Sequence, residues 1–493
     1  MLKIVGRNSG QMCLSTYVSR MSLHIPFDNT YARLPSTAYT RLNPMPVKAP
    51  ELIRFNAPLA ADLGITEGTD ADMALVFSGN QVPGGADPLA QAYAGHQFGG
   101  FSPQLGDGRA NLLGEVLAPD GQRYDIQLKG AGPTPYSRRG DGRAWLGPVL
   151  REYVVSEAMH ALGIPTSRAL AAVSTGEPVY RETGALPGAV LTRVAASHIR
   201  VGTFQYFAAR RDTTSLQALL EYTIARHYPD ADGPTSFLKA VIARQAKQIA
   251  SWMSVGFIHG VMNTDNTAIS GETIDYGPCA YLDAYQPGKV FSSIDTQGRY
   301  AFDNQRNVIV WNMAQLATCL VLLMPDADKA VEDFTVAVHA MPDLIQSQWR
   351  AMMGRKIGIE AATPEDEPLI LDLLSRMADN RADFTNTLRA LGTDKARDQF
   401  LDPKAFDAWE GDWKARIGSE TGAEARMHSA NPAFIARNHQ IEQMIQSAVA
   451  GDYAPMDRLL RVLARPFEDQ PDSADLMRPP APSEVVQATY CGT

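Results

Sequence analysis

The chain has 493 residues, of which 45% are hydrophobic and 20% are charged, and its formal net charge is −9. This length allows two or three domains or one large two-lobed unit. The acidic balance argues against broad binding of nucleic acid, because neutralising many phosphates requires clustered Lys and Arg. The longest apolar run, 316–324, is far shorter than the roughly 20 residues that cross a bilayer, so no membrane span is predicted.

The N-terminal segment contains basic side chains and no acid, but it lacks the continuous apolar core of a secretory signal. A later methionine, Met21, begins a more regular sequence. We predict that residues 1–20 are disordered or a mis-assigned extension, with Met21 as the true start. An organelle presequence is the competing interpretation.

The cysteines are few and far apart: Cys13, Cys279, Cys319 and Cys491. Such spacing fits neither a disulfide framework nor a zinc site. A reducing cytoplasm is therefore the expected location.

Two short strands are predicted in a glycine-rich stretch, at Ala110–Leu117 and Arg123–Leu128. Pro119-Asp120-Gly121 between them is a strong hairpin signal. Lys129 is therefore expected at the end of a strand. Pro148 opens a predicted helix through Leu162, because apolar residues recur there at a spacing near 3.6.

The chain then changes from strand-like to helical sequence. Residues 166–206 keep a β-like composition, and helices are predicted at Leu216–Arg226, Thr235–Val255, Val308–Leu323, Asp328–Ala340, Pro368–Leu391 and Pro432–Leu463. A strand-rich first part followed by a helix-rich second part is typical of an α+β fold with segregated elements. The predicted divisions are an N-lobe over 21–206, a helical C-lobe over 207–465 and a flexible tail over 466–493.

The most specific motif is HGVMNTDN at His259–Asn266, followed by the triplet Asp275-Tyr276-Gly277. This layout matches a kinase catalytic loop and metal-binding triplet, except that Val261 replaces the hydroxyl-activating Asp. Asn266 and Asp275 are hard oxygen ligands that suit Mg²⁺ or Mn²⁺ bound with phosphates. The intervening TAISGETI predicts a hairpin with its turn at Gly271-Glu272. We therefore expect a metal-nucleotide site without ordinary kinase chemistry.

Upstream, the loop Gly106-Asp107-Gly108-Arg109 precedes a strand, where glycine lets backbone N–H groups approach an oxyanion closely. A plain turn is the alternative for so short a motif. Lys129 resembles the strand lysine of kinases, which contacts nucleotide phosphates and is held by a Glu of the following helix. Glu152 is the candidate partner, and Glu157 on the same helix is the alternative.

Several arginines stand in loops or near strand ends: Arg138, Arg139 and Arg143 around Asp141-Gly142, and then Arg193 and Arg200. Guanidinium forks suit phosphate oxygens, and a few of them near one polyphosphate would offset its charge without making the whole protein basic. Solvated pairing with surface acids is the alternative for each of them.

With GDGRAN, DIQLKG, RRGDGRAWLG, HGVMNTDN and IDYGPCAYLD in one order, the chain resembles the selenoprotein O family from about Phe27 onward. The resemblance implies a two-lobed protein-kinase-like fold and the activity of a protein adenylyltransferase, which moves AMP from ATP to Ser, Thr or Tyr hydroxyls of protein substrates. It also implies that ATP binds with Mg²⁺ or Mn²⁺ in an orientation inverted relative to that in kinases. Transfer of UMP with Mn²⁺ is attributed to some members of the family. Protein substrates and a nucleoside triphosphate are the expected partners. The chain is expected to be a monomer.

The same resemblance assigns roles to residues that match the family's motifs. The nucleotide pocket would comprise Gly106, Gly108, Arg109, Lys129, Asp141, Gly142, Arg193, Arg200 and Asp275. Glu152 would orient Lys129, Asn266 and Asp275 would hold the metal, and Asp265 would accept the hydroxyl proton. A supporting or metal-linked role is the alternative for Asp265.

The C-terminal tail contains a cysteine to which the family resemblance gives a role. Cys491 stands third from the end, where animal relatives place selenocysteine. The resemblance implies a regulatory disulfide with Cys279, whereas the alternative is an unpaired tail thiol and a buried small Cys279. The segment 466–484 is rich in Pro, Asp and Ser and is predicted to be mobile or draped over the surface.

Three functions stay open from the residues alone. The first is adenylyl transfer to proteins. The second is a protein or small-molecule kinase with Asp265 as a displaced base, which the likeness of HGV to the HGD of aminoglycoside-type kinases favours. The third is a non-catalytic nucleotide-binding pseudokinase, which Val261 alone favours.

Overall fold

A computed structural model describes residues 23–182, 184–393 and 395–490. They form an N-terminal lobe around an antiparallel sheet and a helical C-terminal lobe, so the predicted α+β class with two lobes is confirmed. The predictions about Met21 and residues 1–20, and the position of Cys491, lie outside the described residues. Among the helices of the described ranges, none has the length and apolar composition needed to cross a membrane.

The strands are short except for two long neighbours in the middle of the N-lobe. In chain order they are β1 (Tyr39–Arg41), β2 (Glu51–Phe55), β3 (Leu89–Gln91), β4 (Gly95–Gln97), β5 (Gly100–Ser102), β6 (Ala110–Leu117), β7 (Arg123–Lys129), β8 (Ala144–Trp145), β9 (Arg168–Arg181), β10 (Gly184–Ala195), β11 (Phe257–Ile258) and β12 (Ala280–Tyr281). The main sheet has the order β1-β3-β6-β7-β10-β9-β2, and β8 pairs with β10. The pairs β4-β5 and β11-β12 form two small separate sheets.

Most of the helices belong to the C-lobe. They are α1 (Ala57–Asp62), α2 (Asp70–Phe77), α3 (Leu146–Ala161), α4 (Val201–Ala209), α5 (Thr213–His227), α6 (Pro234–Ser254), α7 (Gln305–Val321), α8 (Ala327–His339), α9 (Met341–Lys356), α10 (Glu367–Asp379), α11 (Phe384–Arg389), α12 (Pro403–Ile417), α13 (Ala423–Ala430), α14 (Asn438–Val449) and α15 (Ala454–Leu463). Short 3-10 turns connect several of them.

Both faces of the main sheet are covered by core side chains. Successive residues of a strand point to opposite faces, so neighbouring residues enter different cores. On β6, Leu113 packs with Phe77 of α2 in the core of the N-lobe. Its neighbour Leu112 points the other way and joins the large core that contains Leu150 of α3. Burying each such side chain contributes about 1.5–3 kcal/mol relative to leaving it exposed. The sheet therefore fixes α3 directly behind the ends of β7 and β10.

The predicted hairpin before Lys129 is confirmed. The strand β6 has the predicted bounds, and β7 extends one residue further, to Lys129. Gly121 at the turn has a φ of +80° and donates its N–H to the carbonyl of Ala118. The helix predicted from Pro148 to Leu162 is α3, displaced by one to two residues.

Some local predictions are wrong. Residues 201–206 belong to α4 and not to a strand, because packing of Val201 and Phe204 in the large core overrides their β-propensity. The predicted run 368–391 divides into α10 and α11 at Arg381, whose φ is +51°, and the run 432–463 divides at Gly451, whose φ is +91°.

The segment between Asn266 and Asp275 contains a turn but is not a hairpin ladder. The N–H of Gly271 donates to the carbonyl of Ala268 over 3.2 Å. The arms pair with other segments instead: Ala268 bridges to Arg200, and Thr273 bridges to Thr166. The segment is thereby anchored to the start of α4 and to the loop before β9.

The described part of the tail is draped over the C-lobe and pinned near its end. Leu476 is buried, and its carbonyl accepts a hydrogen bond from the Gln440 amide over 3.0 Å. Thr489 is buried too, and its N–H donates to the carbonyl of Phe291 over 2.7 Å.

Candidate active site

A cavity of about 610 Å³ lies between the two lobes. Most of the residues that the sequence assigned to nucleotide binding, metal binding or proton transfer line it: Gly106, Gly108, Arg109, Asp141, Gly142, Asp265, Asn266 and Asp275. Other lining residues were not assigned roles, among them Tyr93, Gln97, Phe98, Arg181 and Asn263. Lys129, Glu152, Arg193 and Arg200 are buried behind this wall.

Four charged residues behind the cavity form what we call the ion-pair cluster: Lys129, Glu152, Arg193 and Asp275. Lys129 Nζ lies 2.6 Å from Glu152 Oε2 and also contacts Asp275 Oδ1. Arg193 Nη1 lies 3.1 Å from Glu152 Oε1 and 3.8 Å from Asp275 Oδ1. Two cations thus share two carboxylates.

The sequence explains why these four groups meet. Lys129 and Arg193 project from the same face of the sheet, because Arg193 is paired with Gln127 across β7 and β10 and Lys129 is two residues further along. That face packs on α3, which supplies Glu152. Glu157 forms a separate ion pair, 2.7 Å from Arg168, and Glu152 is the glutamate of this helix that contacts Lys129.

Asp275 is held ionised by this arrangement. Burial alone would raise the pKa of its carboxyl, but the cations of Lys129, Arg193 and Arg109 outweigh burial and lower the pKa well below its ordinary value. A carboxylate that stays charged in a buried site is suited to a metal ion or to fixing cations beside phosphates.

Arg200 occupies a second buried pair next to the cluster. Its Nη1 lies 3.3 Å from Asp107 Oδ1, and its guanidinium stacks 4.2 Å from the centre of the Tyr93 ring. Asp107 Oδ2 also accepts from the N–H of Gln91 and from the amide of Gln127, each over 3.1 Å. Asp107, inside the glycine loop, therefore anchors Arg200, a role that the sequence did not indicate.

Two loops form the opposite wall and need glycine for close approach. Gly106 has a φ of +103°, and a Cβ there would come 2.4 Å from the Tyr136 ring. Gly142 has a φ of +65°, and a Cβ there would come 2.1 Å from the carbonyl carbon of Gly132. Both loops therefore present backbone, and not side chains, along part of the cavity wall.

Arg181 at the end of β9 joins the second loop. Its Nη1 lies 2.8 Å from Asp141 Oδ2, while the N–H of Arg143 donates to Asp141 Oδ1 over 2.9 Å. Burial acts to raise the pKa of Asp141, but the bonds from Arg181 and Arg143 prevail and lower it. No motif marks Arg181 in the sequence, because its partner lies 40 residues away.

Asp265 lies on the catalytic loop in a different environment. Its Oδ2 accepts a hydrogen bond from the Gln97 amide over 3.0 Å. Its Oδ1 is buried without a hydrogen-bond partner among the described residues. Burial raises the pKa of this carboxyl to about 6.

Hydrogen bonds to backbone carbonyls hold His259 and Asn266, two other residues of the catalytic loop. His259 is fully buried, with Nε2 bonded to the Ile274 carbonyl over 2.9 Å. Asn266 donates its amide to the Val261 carbonyl over 3.1 Å, which leaves its side-chain oxygen as the atom that can bind a metal. Val261 itself lines the cavity, so an apolar side chain occupies the position of the kinase base.

The donor set fits a metal that arrives with phosphates. Asn266 and Asp275 offer hard oxygens in one cavity, and Asp265 adds a buried oxygen that has no hydrogen-bond partner in the described part of the chain. Within the described ranges, no group of three or more His, Cys, Asp and Glu side chains could hold an ion. Such a site suits Mg²⁺, which is commonly bound by one or two carboxylates plus substrate phosphates.

Cys279 lies two residues beyond the triplet and close to the end of the tail. It is a free, buried thiol, and burial raises its pKa to about 12. Thr489 Oγ1 donates to the carbonyl of Pro278 over 2.5 Å. Arg151 donates to the carbonyls of both Gly277 and Tyr490, over 3.1 and 3.3 Å. Thr489 therefore contacts the segment that carries Cys279, and Arg151 bridges Tyr490 to it.

Comparisons with known proteins show the family to which the chain belongs. Residues 21–464 match the family model described as protein adenylyltransferase SelO. The chain is 63% identical to the protein nucleotidyltransferase YdiU of Ruegeria sp. (strain TM1040), over 96% of this chain and 100% of that protein. It is 59% identical to the protein of the same name from Jannaschia sp. (strain CCS1), over 95% of this chain and 99% of the relative. A third relative of that name, from Bradyrhizobium diazoefficiens, is 55% identical over 96% of this chain and 100% of its own length.

Proposed function

The chain belongs to the SelO family of protein adenylyltransferases and is a nucleotidyltransferase with ATP as substrate, and from this premise we propose how its cavity works. We propose that it transfers AMP to Ser, Thr or Tyr hydroxyls of protein substrates. One observation carries the proposal: Val261 occupies the kinase base position, while Asp265 lines the same cavity as Asp275 and has one carboxylate oxygen without a hydrogen-bond partner among the described residues. This arrangement supports attack at a different phosphate from the one that kinases transfer.

The nucleotide would lie between the two glycine-bearing loops and the ion-pair cluster. Backbone at Gly106, Gly108 and Gly142, with Arg109 and Asp141, lines the open side of that space. Lys129, Arg193 and Arg200 would supply positive charge from behind. Preorganised cations of this kind stabilise charge that develops on a phosphoryl group.

The metal would be held by Asn266 and Asp275. When bound, Mg²⁺ or Mn²⁺ would neutralise phosphate charge and favour departure of the leaving group. In the proposed reaction, the acceptor hydroxyl oxygen bonds to the α-phosphorus, and the bond from that phosphorus to the bridging oxygen breaks. Pyrophosphate leaves, and the hydroxyl proton passes to Asp265. The Asp265 carboxyl, with a pKa of about 6, can serve as the base for this proton.

Labelled nucleotides test the proposal directly. The protein is incubated with Mg²⁺ or Mn²⁺ and ATP labelled at either the α- or the γ-phosphate, with casein as a hydroxyl-bearing acceptor. Covalent label from the α-phosphate alone is expected, both on casein and on the enzyme itself. Label from the γ-phosphate alone would indicate a kinase, and label from neither would indicate a nucleotide-binding regulator.

Three finer properties stay predictions. Transfer of UMP with Mn²⁺ is tested by the same assay with α-labelled UTP. A monomer is tested by sedimentation equilibrium of the full chain. A cytoplasmic location is tested by fractionation of cells that express the native protein.

A regulatory disulfide between Cys279 and Cys491 is proposed as well. Its support is the hydrogen bond from Thr489 to the carbonyl of Pro278, directly before Cys279, together with Arg151, which donates to the carbonyls of both Gly277 and Tyr490. Oxidised wild-type protein should migrate faster than reduced protein on a non-reducing gel, and the Cys279→Ser variant should lose this shift. A shift that persists in the variant would contradict the pairing.

A further inference from the structure

A hairpin of the N-lobe reaches down onto the catalytic loop. It consists of β4 and β5, joined by a two-residue turn in which Phe98 and Gly99 have φ values of +52° and +86°. Both residues of such a turn are left-handed, and it is the tight connection that matches the twist of a hairpin. The turn therefore brings β4 to an abrupt end directly after Gln97.

Three hydrogen bonds join the hairpin to consecutive residues of the catalytic loop. They are His96 N–H to Thr264 Oγ1 over 2.7 Å, Gln97 Nε2 to Asp265 Oδ2 over 3.0 Å, and Phe98 N–H to Asn263 Oδ1 over 3.2 Å. Two of the three use backbone donors of the hairpin. Gln97 alone makes its contact through its side chain, and it does so to the carboxyl of Asp265.

Glycine permits this close approach on both sides. A Cβ at Gly95 would come 2.7 Å from Asp265 Oδ1 and 2.9 Å from its Cβ. A Cβ at Gly202, where α4 passes the hairpin, would come 2.2 Å from the Ala94 carbonyl oxygen. The packing around Asp265 leaves no room for its side chain to retreat toward β4.

Gln97 distinguishes the two oxygens of Asp265. An ionised carboxylate only accepts hydrogen bonds, so the amide nitrogen of Gln97 must face it. With Oδ2 bound in this way, Oδ1 is left buried and without a partner among the described residues. Gln97 and Asp265 both line the cavity.

We propose that Gln97 is a positioning residue whose hydrogen bond to Oδ2 fixes the Asp265 carboxylate in the orientation in which it accepts the proton of the acceptor hydroxyl. This inference rests on the proposed function, because it assumes that Asp265 is the proton acceptor. Without the amide, the carboxylate can turn about its side-chain bonds, and it adopts the productive orientation less often. Loss of positioning acts on the transition state more than on substrate binding, so kcat falls and KM changes little.

Two substitutions separate positioning from simple filling of space. Gln97→Ala removes both the donor and the volume of the side chain. Gln97→Glu keeps the volume but replaces the donor with an acceptor that repels the neighbouring carboxylate. Positioning predicts that Gln97→Glu is at least as damaging as Gln97→Ala, whereas a space-filling role predicts that Gln97→Glu is the milder change.

The assay follows transfer of α-labelled AMP to casein, with kcat and both KM values measured for the full chain. We expect kcat to fall by about 10- to 100-fold in Gln97→Ala, as for loss of a hydrogen bond to a charged group, and further in Gln97→Glu. Matched controls are Gln104→Ala and Gln104→Glu, because Gln104 is exposed in the same stretch of chain and does not line the cavity. Both controls should retain wild-type rates.

Each other outcome overturns the inference. Wild-type kcat in both Gln97 variants would exclude a positioning role, and so would a milder effect of Gln97→Glu than of Gln97→Ala. Loss of ATP-dependent thermal stabilisation, or a rise in KM that accounts for the whole effect, would make Gln97 a structural or binding residue. Absence of α-label in the wild-type protein would instead refute the proposed function itself, so the two failures are distinguishable.

Discussion

The two carboxylates at the centre of the cavity lie in opposite environments. Asp275 belongs to the ion-pair cluster, where Lys129 and Arg193 hold its pKa well below the ordinary value against the effect of burial. Asp265 has a neutral amide as its partner, and burial raises its pKa to about 6. Environments that move two carboxyl pKa values apart commonly mark groups with different roles in one reaction. We infer that Asp275 holds charge in place while Asp265 exchanges a proton.

Removal of Asp275 should have the largest effect. The Asp275→Ala variant loses a proposed metal ligand and leaves Glu152 as the remaining carboxylate of the ion-pair cluster beside Lys129 and Arg193. Transfer of α-label should fall by about 1000-fold or more, because electrostatic stabilisation is usually the largest single contribution to such a reaction. The initial rate of transfer to casein measures this loss.

Exposed Asp230 provides the control for that substitution, since Asp230→Ala changes the same side chain outside the cavity. The control should keep the wild-type rate. Transfer in Asp275→Ala within tenfold of wild type would remove the ion-pair cluster from the proposed mechanism.

The Asp265→Asn variant should affect the reaction by a smaller factor and in a different way. It keeps the shape of the side chain but cannot accept the hydroxyl proton. We expect kcat to fall by about 100- to 1000-fold, within the range of general base catalysis, while the affinity for ATP stays close to wild type. Titration calorimetry with ATP and the transfer assay measure the two quantities separately.

A parallel loss of ATP affinity in Asp265→Asn would contradict the different roles that we assign to the two carboxylates. Asp265 would then contribute to nucleotide or metal binding, which is the alternative that the sequence left open. Unchanged kcat would exclude both roles.

The Lys129–Glu152 pair of the ion-pair cluster could be predicted from the sequence because its parts follow the chain in a simple order, whereas the contacts of Arg193 with Glu152 and Asp275 were not predicted. A strand ends at Lys129, the next helix carries Glu152, and the triplet at Asp275 follows a recognisable loop. Periodicity gives each element, and the motif order gives their convergence. Glu152 and Glu157 differ only in the helix face that they occupy, and packing against the sheet decided between them.

The neighbours of Asp265 could not be predicted in the same way. Gln97 stands 168 residues before it, on a hairpin whose strands are three residues long. Such short strands give no periodic signal, and a glutamine amide has no pattern that names its partner. The break at Arg381 was missed for a related reason, because a single left-handed residue interrupts a run that is otherwise helical.

The charge balance of the ion-pair cluster leads to a prediction about stability. Glu152→Gln leaves two buried cations beside one carboxylate, and removing one partner of a buried ion pair destabilises a protein by about 3–5 kcal/mol. We expect the free energy of unfolding in urea to fall by about 3 kcal/mol. Saturating ATP with Mg²⁺ should recover more stability in this variant than in wild type, because the phosphates replace the missing negative charge.

Glu157→Gln is the matched control on the same helix. It breaks the pair with Arg168, outside the cavity, so it should lower stability without an added response to ATP. An equal response of both variants to ATP would mean that the ion-pair cluster does not sense the nucleotide.

The tail braces the side of the cavity that contains the ion-pair cluster. Arg151, next to Glu152 on α3, donates to the carbonyls of Gly277 and Tyr490, and the Thr489 hydroxyl donates to the carbonyl of Pro278. Thr489→Val keeps the shape of the side chain but removes the hydroxyl donor. Loss of one such hydrogen bond weakens docking by about 0.5–1.5 kcal/mol.

Exposure of Cys279 reports on this weaker docking. Burial raises the pKa of both Cys279 and Cys319 to about 12, so each reacts slowly with a thiol reagent until its surroundings open. In Thr489→Val, labelling of Cys279 should accelerate by about two- to tenfold, which corresponds to the weaker docking, while labelling of Cys319 stays unchanged. Mass spectrometry of the labelled peptides separates the two sites. Equal acceleration at both would indicate general destabilisation, and no acceleration at Cys279 would show that the tail does not protect the segment after Asp275.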